Sequence, residues 1–249
     1  MSSRRTFRTT AIVLDTTKLA EQDLILTMLA ESGAQVRAVA KGARKPGGRL
    51  AARAELFCES DFLIAEGKSL GIVSEASTVD PHEGLRGDLE RVSAASAICE
   101  AGRLTCFEET EDPFLFNICR AALGACERAA DLAHLDLIVA AYTFKVLAHS
   151  GWWPALDGCV SCGDPDIAWF SAQAGGLLCG SCARDVAGAE QVSASEVAWL
   201  RALLSATFAQ LIESRIEQGT ASLLLSLSHV WAATQLDARL KAYEFLMSV

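Results

Sequence analysis

A chain of 249 residues with 51% hydrophobic and 21% charged side chains, and only five prolines, carries enough apolar mass for one large or two small cores, which excludes a disordered or collagen-like polymer. Its longest uncharged apolar run, Leu137 to Phe144, falls far short of the roughly 18 residues of a spanning helix, and after Arg4, Arg5 and Arg8 the chain is apolar only from Ala11 to Leu14, so no membrane segment or secretory leader is expected and the expected location is cytoplasmic. The net charge of −9 argues against a nucleic-acid partner as an average, but residues 1–53 carry ten Lys/Arg against four Asp/Glu, a local +6 that leaves −15 for the remainder.

From Phe7 to about Val79 the chain consists of short apolar or alternating runs broken by Gly and polar residues, a strand pattern. The expected strands are Thr9–Leu14, Leu24–Ala30, Ala34–Lys41, Glu55–Ala65 and Leu70–Ser77, with turns at Glu31-Ser32-Gly33 and Glu66-Gly67-Lys68-Ser69. Five short antiparallel strands in about 80 residues suit the five-stranded oligonucleotide-binding barrel, which removes most exposed edges. An open sheet packed on the rest of the chain is the plain alternative.

After Pro81 apolar residues recur at three- and four-residue spacing, which predicts helices over Leu85–Cys106, Pro113–Arg128, Leu132–Ser150, Ala194–Glu213 and Ala221–Met247. Val197, Leu200, Leu204, Phe208 and Leu211 fall on one face. Asp112 before Pro113 and Ser193-x-x-Glu196 are helix-start signals, and the last stretch is expected to break near Thr234–Asp237. The expected fold is α+β and multidomain: an oligonucleotide-binding barrel over residues 1–80, then a helical domain over 81–249 with a zinc module inserted at 157–185.

That module rests on Cys159-Val160-Ser161-Cys162 and Cys179-Gly180-Ser181-Cys182. Two residues between sulfurs let a tight turn aim both at one ion, and two such turns complete a tetrahedron with no open position, so one structural Zn²⁺ is expected rather than a catalytic one. Cys58, Cys99, Cys106, Cys119 and Cys126 have no such partner spacing and read as small core residues. An odd cysteine count with two close pairs fits thiols and metal ligands in a reducing compartment.

The second local signal is the cationic, glycine-rich stretch Lys41-Gly42-Ala43-Arg44-Lys45-Pro46-Gly47-Gly48-Arg49, extended by Arg53. With Arg37, and with Arg4, Arg5 and Arg8 as secondary contacts, it is the expected DNA-contact surface, tracking phosphates without reading sequence. The first 80 residues contain Phe7, Phe57 and Phe62 and no Trp or Tyr, so charge rather than base stacking should dominate. A solvated hairpin loop is the alternative. Catalytic patterns fail: Gly67-Lys68-Ser69-Leu70-Gly71 matches a nucleophile-elbow string only inside an expected hairpin, the phosphate-loop glycine before Gly67-Lys68-Ser69 is Phe62, and His82, His134, His149 and His229 lack ligand spacing. No enzyme is expected.

Gly151-Trp152-Trp153-Pro154-Ala155-Leu156-Asp157-Gly158-Cys159, continuing through Cys162-Gly163 and then Phe170-Ser171, Gly175-Gly176, Leu178 and the Cys179/Cys182 pair, resembles the zinc module of bacterial RecO recombination-repair proteins. Val13-Leu14, Glu21, Asp23, Thr27, Gly33 and Ala40-Lys41-Gly42-Ala43-Arg44 keep the same family's order near the start. Ala20 stands where the family often has Gly, and Leu56 where Pro is common. The resemblance implies a barrel plus a zinc-bearing helical domain acting as a non-catalytic mediator. Such a protein binds single- and double-stranded DNA, anneals complementary strands, joins RecR, and helps RecA displace single-stranded DNA-binding protein, which also implies a nucleoid-associated location. It further implies a helical-domain groove for the acidic, aromatic-ended tail of single-stranded DNA-binding protein, for which Arg120, Arg128 and Lys145 are the candidate cations. A zinc-stabilised interaction scaffold that touches no DNA is the competing reading.

Overall fold

The computed structural model describes residues 5–249; Arg4, one of the expected secondary DNA contacts, lies outside them. Five strands close into a barrel: β1 (Thr6–Leu19), β2 (Asp23–Ala30), β3 (Gln35–Ala40), β4 (Glu59–Ala65) and β5 (Gly71–Asp80), in the order β1-β2-β3-β5-β4 with β4 returning to β1. All five expected strands are present, but the expectation of an all-antiparallel barrel is corrected at one seam. β3 and β5 run parallel, Ala38 opposite Gly71 and Val39 opposite Ile72. A parallel neighbour needs a crossover, and the 41–58 segment together with β4 supplies it.

The barrel interior holds Ala11, Val13, Leu26, Met28, Ala38, Ala40, Phe62, Ile64 and Val73, all buried. Small Ala side chains opposite Phe62 and Met28 are what a narrow barrel can accommodate. The β1 ladder slips between Val13 and Asp15. Such a bulge bends the strand, and it marks where the wholly buried run Ala11–Leu14 gives way to the polar, increasingly exposed half of β1. At the β1–β2 turn Ala20 has φ +55°, a left-handed conformation that glycine adopts without a Cβ penalty. Gly33, at φ +87°, lies so close to Asp112 that a Cβ would sit 1.8 Å from its carbonyl oxygen.

Two helices follow, α1 (Leu89–Thr105) and α2 (Pro113–Arg128). The Asp88 side chain accepts from Arg91 N–H to start α1, and the Asp112 side chain accepts from Phe114 N–H at 3.2 Å at the start of α2. α1 packs on β1 and β2. Compactness therefore divides the chain at Glu127/Arg128, whereas the hydrophobic period changes near Pro81. The first two helices belong by packing with the barrel.

The second unit is built on α3 (Leu132–His149), whose buried residues run around the whole helix from Ala133 to Leu147. This helix is long and apolar enough to cross a membrane, yet 72% of it is buried inside the fold. Between α3 and the next long helix lie β6 (Trp169–Ser171), β7 (Gly176–Leu178), the short α4 (Gly180–Ala183) and β8 (Glu190–Gln191), with β6 central in a three-stranded sheet. The expected helix over Ala194–Glu213 is two helices, α5 (Ala194–Ser205) and α6 (Phe208–Glu213). Thr207 and Gln210 form a second capping box, the Thr207 N–H donating to Gln210 Oε1 at 2.8 Å, as Ser193 and Glu196 do at the start of α5. α7 (Gln218–Leu236) ends at Asp237, whose φ of +47° breaks the chain within the expected interval before α8 (Lys241–Leu246). α3 packs against α5, α6 and α7.

Candidate metal centre and nucleic-acid surface

Cys159, Cys162, Cys179 and Cys182 converge, all four sulfurs lying within 4.8 Å of one another. Each pair is set by a local turn. Gly163 N–H donates to Cys159 carbonyl at 2.8 Å with Gly163 at φ +79°, and Ala183 N–H donates to Cys179 carbonyl at 3.0 Å as α4 begins. The Cys162–Cys179 Sγ distance is 3.7 Å. Four sulfurs tetrahedrally placed at about 2.3 Å from one ion lie about 3.8 Å apart, so the donor set fits a closed four-thiolate site.

The electrostatics agree with a missing positive centre. Backbone N–H groups, that of Cys179 first, pull the Cys159 thiol down to about 6. Its sulfur neighbours push Cys182 up to about 12, because a further negative charge among them has nothing to balance it. A divalent cation removes that conflict by ligating the thiolates.

The module also has little core of its own: Cys159, Leu178 and Cys179 are buried, with Ile167, Trp169 and Val186 packed against them. It is tied to the helices by Phe170 of β6, whose ring lies 6.3 Å from Phe144 of α3 and 5.8 Å from Trp231 of α7. Gly176 is required at this junction, since a Cβ there would lie 2.2 Å from the Ala155 carbonyl oxygen.

The basic stretch is anchored rather than loosely solvated. Ala43, Leu50 and Ala54 are buried in the barrel core. Gly42 N–H donates to Asp23 Oδ1 at 2.8 Å and Arg44 N–H to Gln22 carbonyl at 3.0 Å. Gly48 is forced by packing: a Cβ would lie 2.7 Å from the Gly42 carbonyl oxygen. With the backbone held this way, Lys41, Arg44, Lys45 and Arg49 are exposed and Arg53 is half-buried. Three of the arginines are positioned by one N–H each, Arg44 to Glu21 carbonyl, Arg49 to Ser74 carbonyl and Arg53 to Arg49 carbonyl, all at 2.9 Å. That leaves most guanidinium donors turned outward. Arg5 and Arg8 are exposed, Arg8 lying 3.7 Å from Glu75. Arg37 stands apart on the outer face of β3, lining a polar cavity with Asp15, Thr17, Thr27, Gln35, Arg103 and Glu108.

Two of the three expected tail-binding cations have structural partners. Arg120 on α2 lies 3.0 Å from the carboxylate of Glu59, which is only 1% exposed at the start of β4. Lys145 donates to the Leu204 carbonyl at 2.8 Å, and burial lowers its pKa. Arg128 is exposed at the end of α2. The better-formed apolar cavity in the second unit, about 240 Å³, is lined by Trp153, Pro154, Leu156 and Leu204 with Arg201 beside them. Arg201 is held there by an N–H to the Leu156 carbonyl at 2.5 Å. The sequence signal for it was an exposed Trp-Trp-Pro ahead of the zinc module; Trp153 is 65% exposed.

Burial raises the Glu59 pKa against the opposing pull of Arg120 and His82. A folded-state pKa above the unfolded one means that this carboxyl's favourable contribution is full below its unfolded pKa and is lost as pH rises through the folded one. Glu59→Gln is therefore expected to stabilise the protein at neutral pH, with the gain vanishing in acid below the ordinary carboxylate range. Urea midpoints across that pH span check it; a loss largest at neutral pH would contradict it.

The chain matches the family described as recombination protein O N terminal over residues 1–82 and recombination protein O C terminal over residues 86–244. The DNA repair protein RecO of Bifidobacterium adolescentis is 38% identical over 207 residues, 80% of this chain and 82% of that protein. That of Bifidobacterium animalis subsp. lactis is 39% identical over 175 residues, 70% and 72% of the two chains. That of Synechococcus elongatus is 39% identical over 155 residues, 62% and 58%. With both halves of the chain matched in order, and a closed barrel, a helical unit and a four-cysteine centre in place, the chain belongs to the RecO family of DNA repair proteins.

Proposed function

We propose that this chain is a non-catalytic recombination mediator. It binds single- and double-stranded DNA through the barrel, anneals complementary strands, and with RecR helps RecA load onto DNA coated by single-stranded DNA-binding protein, working in the cytoplasm at the nucleoid. The observation that carries this reading is the 41–53 segment. Its backbone is pinned to the barrel core by Ala43, Leu50 and Ala54 while five cations stay on the outside. Cations on a fixed frame neutralise phosphates without reading bases, and neutralising two strands lowers their mutual repulsion and leaves the bases free to pair. In this reading the four cysteines hold one Zn²⁺, which supplies folding energy to the helical unit and no chemical step. The acidic tail of single-stranded DNA-binding protein then docks on the helical unit, where the Trp153–Leu204 cavity offers an apolar floor and Arg201 a cation.

Binding of the full chain to unrelated single- and double-stranded oligonucleotides over a salt series tests the reading. A log–log slope well below zero, alike for unrelated sequences, is expected; no binding at low salt would favour the scaffold that touches no DNA. For the tail, Arg201→Gln should weaken binding of an acidic, phenylalanine-ended peptide, and an unchanged affinity would remove this cavity as its site.

A further inference from the structure

The polar cavity on the barrel, about 340 Å³, lies outside the basic loop, and its lining comes from two sources. The strand register sets Asp15 of β1 opposite Thr27 of β2, and Thr27 opposite Arg37 of β3, so these three form one row across the sheet. Arg103, in the last turn of α1, is brought to the same cavity. The end of α1 is clamped to β3 through one residue. Gln35 N–H donates to the Phe107 carbonyl at 3.0 Å, and Gln35 Nε2 donates to the Arg103 carbonyl at 3.1 Å and the Cys106 carbonyl at 3.3 Å. A helix end fixed in this way holds the Arg103 guanidinium where a loop would not.

Inside the cavity the charges are only loosely matched. Arg103 Nε and Asp15 Oδ2 are 4.0 Å apart, with the two side chains 39% and 49% exposed. An exposed pair at that separation is worth little, so exchanging its partner costs little. Arg37 has no ion-pair partner among the described residues, and Thr17 and Thr27 add hydroxyl donors. Glu108 is the second carboxylate on the lining, so two acids balance two arginines and the cavity does not attract anions strongly until one acid gives way. A phosphate offers Arg103 and Arg37 charge-assisted, two-point hydrogen bonds that Asp15 at 4.0 Å does not make.

We propose that a backbone phosphate of bound single-stranded DNA displaces Asp15 as the partner of Arg103 and is held between Arg103 and Arg37. The strand then crosses the outer face of β1, β2 and β3 as well as the 41–53 loop. Asp15 acts as a weak internal competitor that lowers affinity. The inference rests on the DNA-binding reading above and extends that contact to the end of α1.

The test measures binding of the full chain to a fluorescent single-stranded oligonucleotide over a salt series. Arg103→Gln is expected to weaken binding several-fold and make the salt slope shallower by about 0.7, the value of one phosphate contact on a single strand. Asp15→Asn, which keeps the oxygen that accepts Thr16 N–H at 2.8 Å, is expected to tighten binding several-fold, and that gain should disappear when Arg103→Gln is also present. Glu66→Gln removes an exposed acid from the β4–β5 turn and controls for net charge. The proposal is overturned if Asp15→Asn gains no more than Glu66→Gln, if its gain survives in the double variant, or if Arg103→Gln leaves the slope unchanged. The combined Arg44→Gln, Lys45→Gln, Arg49→Gln variant separates the two levels. If it weakens binding and Arg103→Gln does not, only this inference fails; if neither does, the reading of the barrel as the DNA-binding part fails with it.

Discussion

Cys159→Ser is expected to bring bound zinc far below one ion per chain and to lower the stability of the helical unit by several kcal/mol. Free zinc-binding modules draw about 10 kcal/mol or more from the metal, whereas here part of the fold is carried by packing that needs none. The unit keeps α3 buried between α5, α6 and α7, so it should not unfold outright. The route of the damage is specific. The small module reaches the helices through Phe170 against Phe144 and Trp231, so its collapse removes a ring contact from each of α3 and α7. Thermal unfolding followed by tryptophan fluorescence, with elemental analysis of both proteins, measures the effect. The salt slope of DNA binding should be unchanged in the folded variant, because the metal lies among helices and short strands and not in the basic loop. Wild-type protein purified without chelator that contained no stoichiometric metal would reject the assignment.

The second large effect is on DNA. Replacing Arg44, Lys45 and Arg49 together by Gln should weaken binding on the order of tenfold or more at moderate salt and make the single-strand salt slope shallower by about 2, three contacts at about 0.7 each. The loss should be alike for unrelated sequences, since phosphate contacts carry no base information. Folding should survive: Ala43, Leu50 and Ala54, which anchor the segment, are untouched, and Gln can still donate to the Glu21 and Ser74 carbonyls. Circular dichroism and the urea midpoint confirm that. An unchanged slope in a folded variant would remove the loop from the interface.

Much of this was legible in the sequence because the signals were local. A Cys-x-x-Cys turn is set by its own four residues, and both turns stand where the spacing put them. Alternation gave the five strands, since a barrel strand must send every second side chain inward. The parallel β3–β5 seam was not legible, because strand direction depends on how the 41–58 segment crosses the barrel, and nothing within either strand encodes it. Thr207-x-x-Gln210 was a readable start signal, but Phe208 and Leu211 kept the apolar spacing of α5 and masked the break. Arg120 and Lys145 looked available because charge in a helix reads as surface. The structure gives one to buried Glu59 and the other to the Leu204 carbonyl, partners 61 and 59 residues away in the chain. Arg103 and Arg201 were passed over for the same reason: what makes each notable is the cavity it lines, and a cavity is assembled from distant segments.

The central claim is that this protein brings complementary strands together, and annealing measures that directly. Two complementary oligonucleotides, one pair naked and one pair coated with single-stranded DNA-binding protein, are mixed with the full chain, and duplex formation is followed by fluorescence quenching. The account predicts faster annealing of both pairs without added nucleotide, with the acceleration lost in the Arg44, Lys45, Arg49 triple variant and retained with Glu66→Gln. Duplex formation no faster with the protein than without it, under conditions where the protein is shown to be bound to the strands, would contradict it.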